Sequence, residues 1–202
     1  MRVALFGGTF DPPHLGHLGV ARAAADAFGL DGVVFAPAGL QPLKLDIASA
    51  SFADRLAMVQ LACLEEPRDP RFVVSSIDAP RADGAPNYTV DTLASLREQR
   101  PEATLYNLVG ADSFLSLRHW RQPERLLALA EWIVVSRPGY PLDDLSALRL
   151  TEAQRTRVHL LENVHEDVSA TVLRQRLAAG DNCADLLAPA VADYIRTHRL
   201  YR

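Results

Sequence analysis

Cysteine is scarce in this sequence, and its scarcity limits the kinds of site that can be expected. The 202 residues include two cysteines, Cys63 and Cys183, which lie far apart and outside any Cys-x-x-Cys pair. Zinc sites and disulfide frameworks need more cysteines at closer spacing, so we expect neither. Two reduced thiols are typical of a cytoplasmic protein.

The chain also lacks long runs of one charge and long apolar runs. Its 21 Lys and Arg residues are set against 25 Asp and Glu residues, which gives a net charge of −4 without a dense basic segment. We therefore expect no binding to nucleic acid or to an anionic membrane surface. No apolar run reaches the roughly 20 residues that span a bilayer, and the first residues lack a secretory signal pattern. These absences favour the cytoplasm.

Two familiar nucleotide-binding patterns are missing as well. The sequence contains no Gly-x-x-x-x-Gly-Lys-Ser/Thr run, so a Walker-type phosphate loop is not expected. It has no Gly-x-Gly-x-x-Gly after its first predicted strand, which argues against a dinucleotide-dependent oxidoreductase. Coiled-coil heptads are absent too, and the sequence does not determine whether the chain forms a homo-oligomer.

What the chain does contain is a regular alternation of strand and helix patterns. Short apolar runs predict six strands, at residues 3–6, 33–35, 72–74, 104–109, 132–136 and 158–161. Helical spacing predicts helices over residues 15–28, 52–65, 89–99, 171–179 and 189–198. This alternation favours an α/β fold, a Rossmann-like doubly wound parallel sheet with helices on both faces. We predict a single domain over residues 1–202, with residues 165–202 as a small C-terminal helical portion.

The segment between the first strand and the first helix has the composition of a phosphate site. Gly7 and Gly8 end the strand, where the backbone can approach a ligand without interference from side chains. His14 and His17 lie three residues apart at the helix start, so both rings can face the same side, and Gly16 adds no bulk between them. A helix start also presents free N–H groups and the positive end of its dipole. The segment therefore predicts a polyphosphate site beyond the carboxyl end of a strand.

Residues 7–17, Gly-Gly-Thr-Phe-Asp-Pro-Pro-His-Leu-Gly-His, resemble a known motif. Their His-x-Gly-His end is similar to the signature of the nucleotidyltransferase superfamily, and the longer form resembles the bacterial nicotinate mononucleotide adenylyltransferases. Further segments resemble that family in the same order along the chain: residues 37–44, 87–93, 110–120, 136–139, 168–174 and 194–201. Two positions depart from it: Leu43 stands where the family usually has histidine, and Ala170 where it usually has a second serine.

This resemblance implies an enzyme of NAD biosynthesis that transfers the adenylyl group of ATP to nicotinate mononucleotide and releases pyrophosphate. The attacking phosphate is already largely ionised at neutral pH, so no general base is required, and catalysis would rest on positioning and charge neutralisation. The catalytic residues that it implies are His14, His17, Lys44 and Arg174. The sequence shows no compact carboxylate cluster, so we predict no metal site within the protein itself and expect Mg²⁺ to arrive with ATP.

The resemblance also implies the binding residues. On the ATP side they are Gly7, Gly8, Thr9, Phe10, His17, Gly110, Asp112, Arg137, Ser169, Thr171 and Arg174. The acceptor would be held by Tyr88, Thr89, Asp112 and Trp120, with Trp120 stacked on its pyridine ring. Structural roles compete at several positions: a helix cap at Ser169, Thr171 or Asp112, a core position at Trp120, and a solvated loop at Lys44.

Two alternative functions stay open at this point. One is a sister transferase that acts on nicotinamide mononucleotide, phosphopantetheine or a cytidylyl acceptor, although residues 87–93 and the chain length favour the nicotinate form over the last two. The choice between nicotinate and nicotinamide depends on the groups that face the carboxylate. The other alternative is a degenerate nucleotide-binding module without turnover, which only Leu43 and Ala170 support.

Overall fold

The computed structural model describes residues 1–41, 50–65, 67–136, 145–162, 164 and 168–202. Six strands form one sheet: β1 (Arg2–Gly8), β2 (Gly32–Pro37), β3 (Phe72–Val74), β4 (Thr104–Gly110), β5 (Glu131–Val135) and β6 (Val158–Leu161). The α-helices are α1 (Leu15–Phe28), α2 (Phe52–Cys63), α3 (Thr89–Gln99), α4 (Ala111–Leu115), α5 (Pro123–Leu129), α6 (Glu152–Arg155), α7 (Ala170–Ala178) and α8 (Pro189–His198). Two short 3₁₀ helices cover Leu117–His119 and Ser146–Leu148.

The strands all run parallel, in the order β3-β2-β1-β4-β5-β6. β1 pairs with β2 on one side and with β4 on the other, so the direction of the winding reverses between β1 and β4. Such a switch point opens a crevice outside the carboxyl ends of the central strands. Here those ends are Gly8 of β1 and Gly110 of β4. The predicted doubly wound α/β fold is confirmed.

The two-residue period of the strands divides the core between the two faces of the sheet. In β1, Val3 and Leu5 pack into the cluster beneath α3 and α5, whereas Ala4 and Phe6 pack into the cluster beneath α1. A third cluster joins α2, α7 and α8 through Met58, Leu173 and Val191, all fully buried. Because α2 also contacts β2 and β3, this third cluster attaches α7 and α8 to that side of the sheet.

Most predicted elements are present at or near their predicted bounds. All six strands and all five helices are found, with α2 ending at Cys63 instead of Glu65 and α7 beginning one residue early at Ala170. The short helices α4, α5 and α6 were not predicted. They have 5, 7 and 4 residues, too few for a helical period to emerge from the sequence.

Within the described ranges, no helix is both long enough and apolar enough to cross a bilayer. Cys63 and Cys183 are free and buried. Burial raises the pKa of the Cys63 thiol to about 12, so the thiolate is disfavoured and Cys63 serves as a packing residue.

Candidate active site

The loop that leaves β1 is built around the ring of Phe10. This ring is buried and packs edge-on against Phe6, with ring centroids 5.5 Å apart, and against His17 at 5.0 Å. A Cβ atom on Gly8 would lie 3.1 Å from the Phe10 ring, a contact so tight that the ring would have to shift by a few tenths of an ångström. Phe10 itself adopts a left-handed φ of 50°. Because its side chain is core, Phe10 can serve a ligand only through its backbone.

His14 and His17 form a stacked pair at the start of α1. Their ring centroids are 3.6 Å apart with an interplanar angle of 29°, and His14 is buried at the N-cap position. The backbone N–H of His14 donates to Nδ1 of His17 at 3.1 Å. Nδ1 must therefore be an acceptor, and the neutral His17 ring carries its hydrogen on Nε2. This bond orients His17 as a donor for an anionic group.

The free N–H groups expected at the start of α1 are fewer than the sequence analysis predicts. The N–H of Leu15 donates to the carbonyl of Leu186 at 2.8 Å, and the N–H of His17 donates to the carbonyl of His14 at 3.0 Å. The prediction is wrong for these two amides because a tertiary contact and a turn satisfy them. Nε2 of His17 is then a donor that this helix start can offer to a ligand.

A cavity of about 810 Å³ opens beside the ends of β1 and β4. Seven predicted site residues line it: Gly7, Gly8, Tyr88, Thr89, Gly110, Asp112 and Trp120. They come from the ends of two neighbouring strands, the start of α3, the short helix α4 and the residue after the first 3₁₀ helix. The fold thus assembles the predicted acceptor residues in one place.

Trp120 and Asp112 are held in defined positions on the wall of this cavity. The indole N–H of Trp120 donates to Oγ of Ser116 at 3.0 Å, and its ring packs edge-on against the buried Trp132 at 5.9 Å. Trp120 is therefore partly a core residue and partly a cavity wall, and its stacking on the acceptor stays a prediction. A Cβ on Gly110 would lie 2.7 Å from Oδ1 of Asp112, so glycine allows this carboxylate to fold back over the strand end.

Three polar groups on the cavity wall were not singled out from the sequence. Arg121 lies with its guanidinium carbon 4.5 Å from the centre of the Tyr88 ring. Among the described lining residues it is the only permanently cationic side chain. Asp78 accepts a hydrogen bond from Thr92 at 2.8 Å, and burial raises the pKa of its carboxyl. Asn107 is 1% exposed, and its Nδ2 has no hydrogen-bond partner among the described residues.

Comparison with known proteins assigns this chain to a family. Residues 5–176 match the cytidylyltransferase-like family. The chain is 45% identical to a protein of Neisseria meningitidis serogroup B named probable nicotinate-nucleotide adenylyltransferase, over 99% of this chain and 98% of that one. It is 42% identical to a protein of the same name from Roseiflexus, again over 99% and 98%. This chain belongs to the cytidylyltransferase-like family.

Solved structures agree on the fold of this cytidylyltransferase-like chain. A Plasmodium falciparum structure, described as nicotinic acid mononucleotide adenylyltransferase complexed with NaAD, matches with a TM-score of 0.79 at 18% identity. The match covers 99% of this chain and 97% of the other. A structure from Vibrio parahaemolyticus, described as a putative nicotinate-nucleotide adenylyltransferase, has a TM-score of 0.70 at 20% identity.

The predicted ATP-binding residues Ser169, Thr171 and Arg174 lie at or near the start of α7, next to the first loop. Arg174 donates from Nη1 to the carbonyl of Asp11 at 2.9 Å and from Nη2 to Oγ1 of Thr171 at 3.3 Å. Ser169 occupies the N-cap position of α7 without a side-chain capping bond, and Ala170 is the first residue of the helix. The structure therefore brings Arg174 and Thr171 to the loop that carries the two histidines.

Other predicted residues are only partly accounted for. Thr9 donates from Oγ1 to Oε1 of Gln41 at 3.2 Å, which connects the first loop to the segment after β2. Lys44, its neighbour Leu43, and Arg137 lie outside the described residues. Their predicted roles stay predictions.

Proposed function

We propose that this protein transfers the adenylyl group of ATP to the phosphate of nicotinate mononucleotide, giving nicotinate adenine dinucleotide and pyrophosphate. One observation supports this most directly. Gly7 and Gly8 line the cavity, and the loop that begins directly after them carries the stacked His14 and His17. An acceptor in the cavity and a triphosphate at the loop would therefore meet at the end of β1. The names of the relatives point to the same reaction.

The chemistry requires little from the protein beyond positioning. An oxygen of the mononucleotide phosphate attacks the α-phosphorus of ATP, a new O–P bond forms, and the bond to the β-phosphate oxygen breaks. The second pKa of such a phosphate is about 6, so the nucleophile is already ionised at neutral pH. His17, His14, Lys44 and Arg174 would stabilise the charge on the α-phosphate and the leaving pyrophosphate. Asp112 would accept hydrogen bonds from ribose hydroxyls.

A divalent cation would accompany ATP, and we propose Mg²⁺. In the part of the chain that the structure describes, no group of three or more His, Cys, Asp or Glu side chains is arranged to hold a metal. Mg²⁺ commonly keeps several waters and is bound largely by substrate phosphates, so it needs no cluster of protein ligands. The cation would neutralise phosphate charge, while the histidines and Arg174 would orient the triphosphate of ATP. We place the enzyme in the cytoplasm.

Arg121 favours the nicotinate acid over its amide as the acceptor. The cavity wall already carries two carboxyl groups, Asp78 and Asp112, so an added carboxylate needs a compensating cation. Arg121 is that cation, and its contact with the Tyr88 ring places it next to the start of α3, where Thr89 lies. The N-terminal end of α3 also favours a negative group.

One assay separates the candidate functions. The protein is incubated with Mg²⁺-ATP and either nicotinate mononucleotide or nicotinamide mononucleotide, and pyrophosphate release is measured. We expect pyrophosphate release only when ATP and a mononucleotide are both present, and faster release with nicotinate mononucleotide. Faster turnover with the amide would contradict the proposal and identify nicotinamide mononucleotide as the preferred acceptor. No release with either would leave the degenerate nucleotide-binding module as the better description.

A further inference from the structure

A buried polar cluster lies beneath the first loop and involves the end of the chain. Asp11 is 4% exposed and Arg55 of α2 is 2% exposed. Oδ1 of Asp11 accepts hydrogen bonds from the hydroxyl of Tyr201 at 2.6 Å and from the N–H of Ala50 at 3.2 Å. Buried polar groups of this kind are stable only when they are bonded to one another, so each member constrains the others.

Arg55 holds the backbone of the first loop from the side of α2. Its Nη1 donates to the carbonyl of Thr9 at 2.7 Å, and its Nε donates to the carbonyl of Ala50 at 3.3 Å. In a trans peptide the carbonyl and the following N–H point in opposite directions. Fixing the Thr9 carbonyl on Arg55 therefore aims the N–H of Phe10 away from α2. A backbone donor at the end of β1 is thereby oriented before any ligand arrives.

The chain turns back after α8 and brings Tyr201 to this cluster. After α8, Arg199 and Tyr201 have left-handed φ values of 54° and 59°, which bulky side chains rarely adopt. The N–H of Leu200 returns to the carbonyl of Ile195 at 3.1 Å, and Tyr201 also packs against the third core cluster. Arg199 is the left-handed C-cap of α8, so the helix end and the packing of Tyr201 together set the hydroxyl beside Asp11.

Electrostatics keep the hydroxyl of Tyr201 in its donor form. Burial and the adjacent Asp11 carboxylate both raise the pKa of Tyr201 well above its usual range. The hydroxyl therefore stays protonated and continues to donate to Asp11 across the neutral pH range. Burial lowers the pKa of Arg55, but the charge of Asp11 opposes this shift.

We propose that Tyr201 is a positioning residue for the ATP side of the active site, acting through Asp11 on the Thr9–His14 loop. It would touch neither substrate. With its carbonyl on Arg174 and its carboxylate on Tyr201, Asp11 links α7 and the C-terminal end of the chain to the loop that carries His14 and His17. The inference rests on the proposed adenylyl transfer, because it assigns ATP to this loop.

The chain offers a matched control for testing this role. Tyr194 of α8 donates its hydroxyl to Oδ1 of Asp54 at 3.0 Å, which is also a bond from a tyrosine to an aspartate. Asp54 lies in α2, the helix that also carries Arg55. The partner of Tyr194 does not lie in the first loop. Tyr201→Phe and Tyr194→Phe each remove one hydroxyl and keep the ring. We would measure thermal unfolding, ATP affinity by calorimetry without acceptor, and kcat and KM for both substrates.

For Tyr201→Phe we expect kcat/KM for ATP to fall about tenfold, the scale of one hydrogen bond to a charged group, with a matching loss of ATP affinity. KM for the mononucleotide should stay within about twofold, since the cavity wall does not include this cluster. Tyr194→Phe should leave both KM values unchanged, and it should lower the unfolding temperature less than Tyr201→Phe because its hydroxyl lies nearer the surface. Equal kinetics in the two variants would overturn the proposal and leave Tyr201 a structural residue.

A second variant covers the case in which Tyr201→Phe does not fold. Asp11→Asn keeps an oxygen that can accept from Tyr201 but removes the charge, and we expect the same direction of change in ATP affinity. Unchanged ATP affinity in folded Asp11→Asn would also overturn the proposal. The wild-type protein separates this result from the proposed function: absence of pyrophosphate release from wild type counts against adenylyl transfer, whereas an active wild type with indifferent variants counts against Tyr201 alone.

Discussion

The two ends of the candidate site are held together by contacts of very different range. At the cavity end, Trp120 bonds to Ser116 four residues away, and Thr92 bonds to Asp78 across 14 residues. At the phosphate end, Asp11 bonds to Arg174 across 163 residues and to Tyr201 across 190. Long-range contacts form only after most of the chain is ordered. The polar contacts named at the cavity end are therefore local, although the walls of the cavity come from strands distant in the chain, whereas those at the phosphate end span most of the chain.

A segment that is easy to recognise in the sequence can still depend on distant residues for its conformation. Residues 7–17 form the most recognisable segment of the chain, yet their conformation relies on α2, α7 and the residues after α8. At the cavity end, the hydrogen bonds of Trp120 and Thr92 join residues that are near one another in the chain. Substitutions far from the site should thus disturb ATP binding more readily than acceptor binding.

The largest effect that we expect at the phosphate end comes from His17→Ala. Turnover should fall at least about a hundredfold, the scale of losing a donor that stabilises a transition state, with the mononucleotide KM nearly unchanged. Losing the acceptor for the His14 N–H should cost only about 1 kcal/mol of stability, so the fold should persist. Steady-state kinetics and circular dichroism would check both points.

His159→Ala provides the control for that experiment. His159 is also a partly buried histidine with a hydrogen bond, to Glu131 at 2.6 Å, but it lies near the amino-terminal ends of β5 and β6. Its removal should leave turnover within about twofold of wild type, as expected for a site far from the chemistry. Near-normal activity of His17→Ala would take His17 out of the mechanism.

A smaller effect is expected at the cavity end from Arg121→Gln. KM for nicotinate mononucleotide should rise about fivefold at low salt, because an exposed ion pair is worth at most about 1 kcal/mol. KM for nicotinamide mononucleotide and for ATP should change little. The difference between acid and amide should shrink as salt is added, since salt screens exposed charges.

The control is Arg125→Gln on α5, whose guanidinium donates to Oε1 of Gln122 and does not line the cavity. It removes the same charge from the same region of the surface. An equal rise in KM in both variants would mean that overall charge, rather than Arg121 itself, attracts the acid. A change that is equal for acid and amide would also remove Arg121 from acceptor selection.

Sequence patterns predicted the sheet and the main helices because these depend on local apolar periodicity. They missed α4 and α5, whose few turns carry no clear period, although α4 holds Asp112. The first loop was recognisable from Gly7 to His17, but nothing near it indicated Arg55 or Tyr201. Residues whose role depends on a partner distant in the chain leave no spacing pattern to find. Arg121 was missed for a related reason, because its role depends on the position of the Tyr88 ring.

The smallest expected kinetic effect concerns the floor of the cavity, at Asn107. This residue is buried between Leu5 and Trp132 of the neighbouring strands, and its Nδ2 lacks a partner among the described residues. An unsatisfied buried donor costs about 1–3 kcal/mol. Asn107→Leu, close in size, should therefore raise the free energy of unfolding by part of that amount, measured by denaturant titration.

If the amide also serves the acceptor, stability and affinity should move in opposite directions in this variant. We expect KM for the mononucleotide to rise about threefold to fivefold, the scale of one neutral hydrogen bond, while KM for ATP stays constant. Asn107→Asp is the matched comparison: it keeps the shape but buries a charge, so it should lower stability. A gain in stability without any change in KM would show that the cavity floor takes no part in acceptor binding. A loss of stability in Asn107→Leu would show that the amide is bonded within the protein, and the cavity end would then be as tightly constrained as the phosphate end.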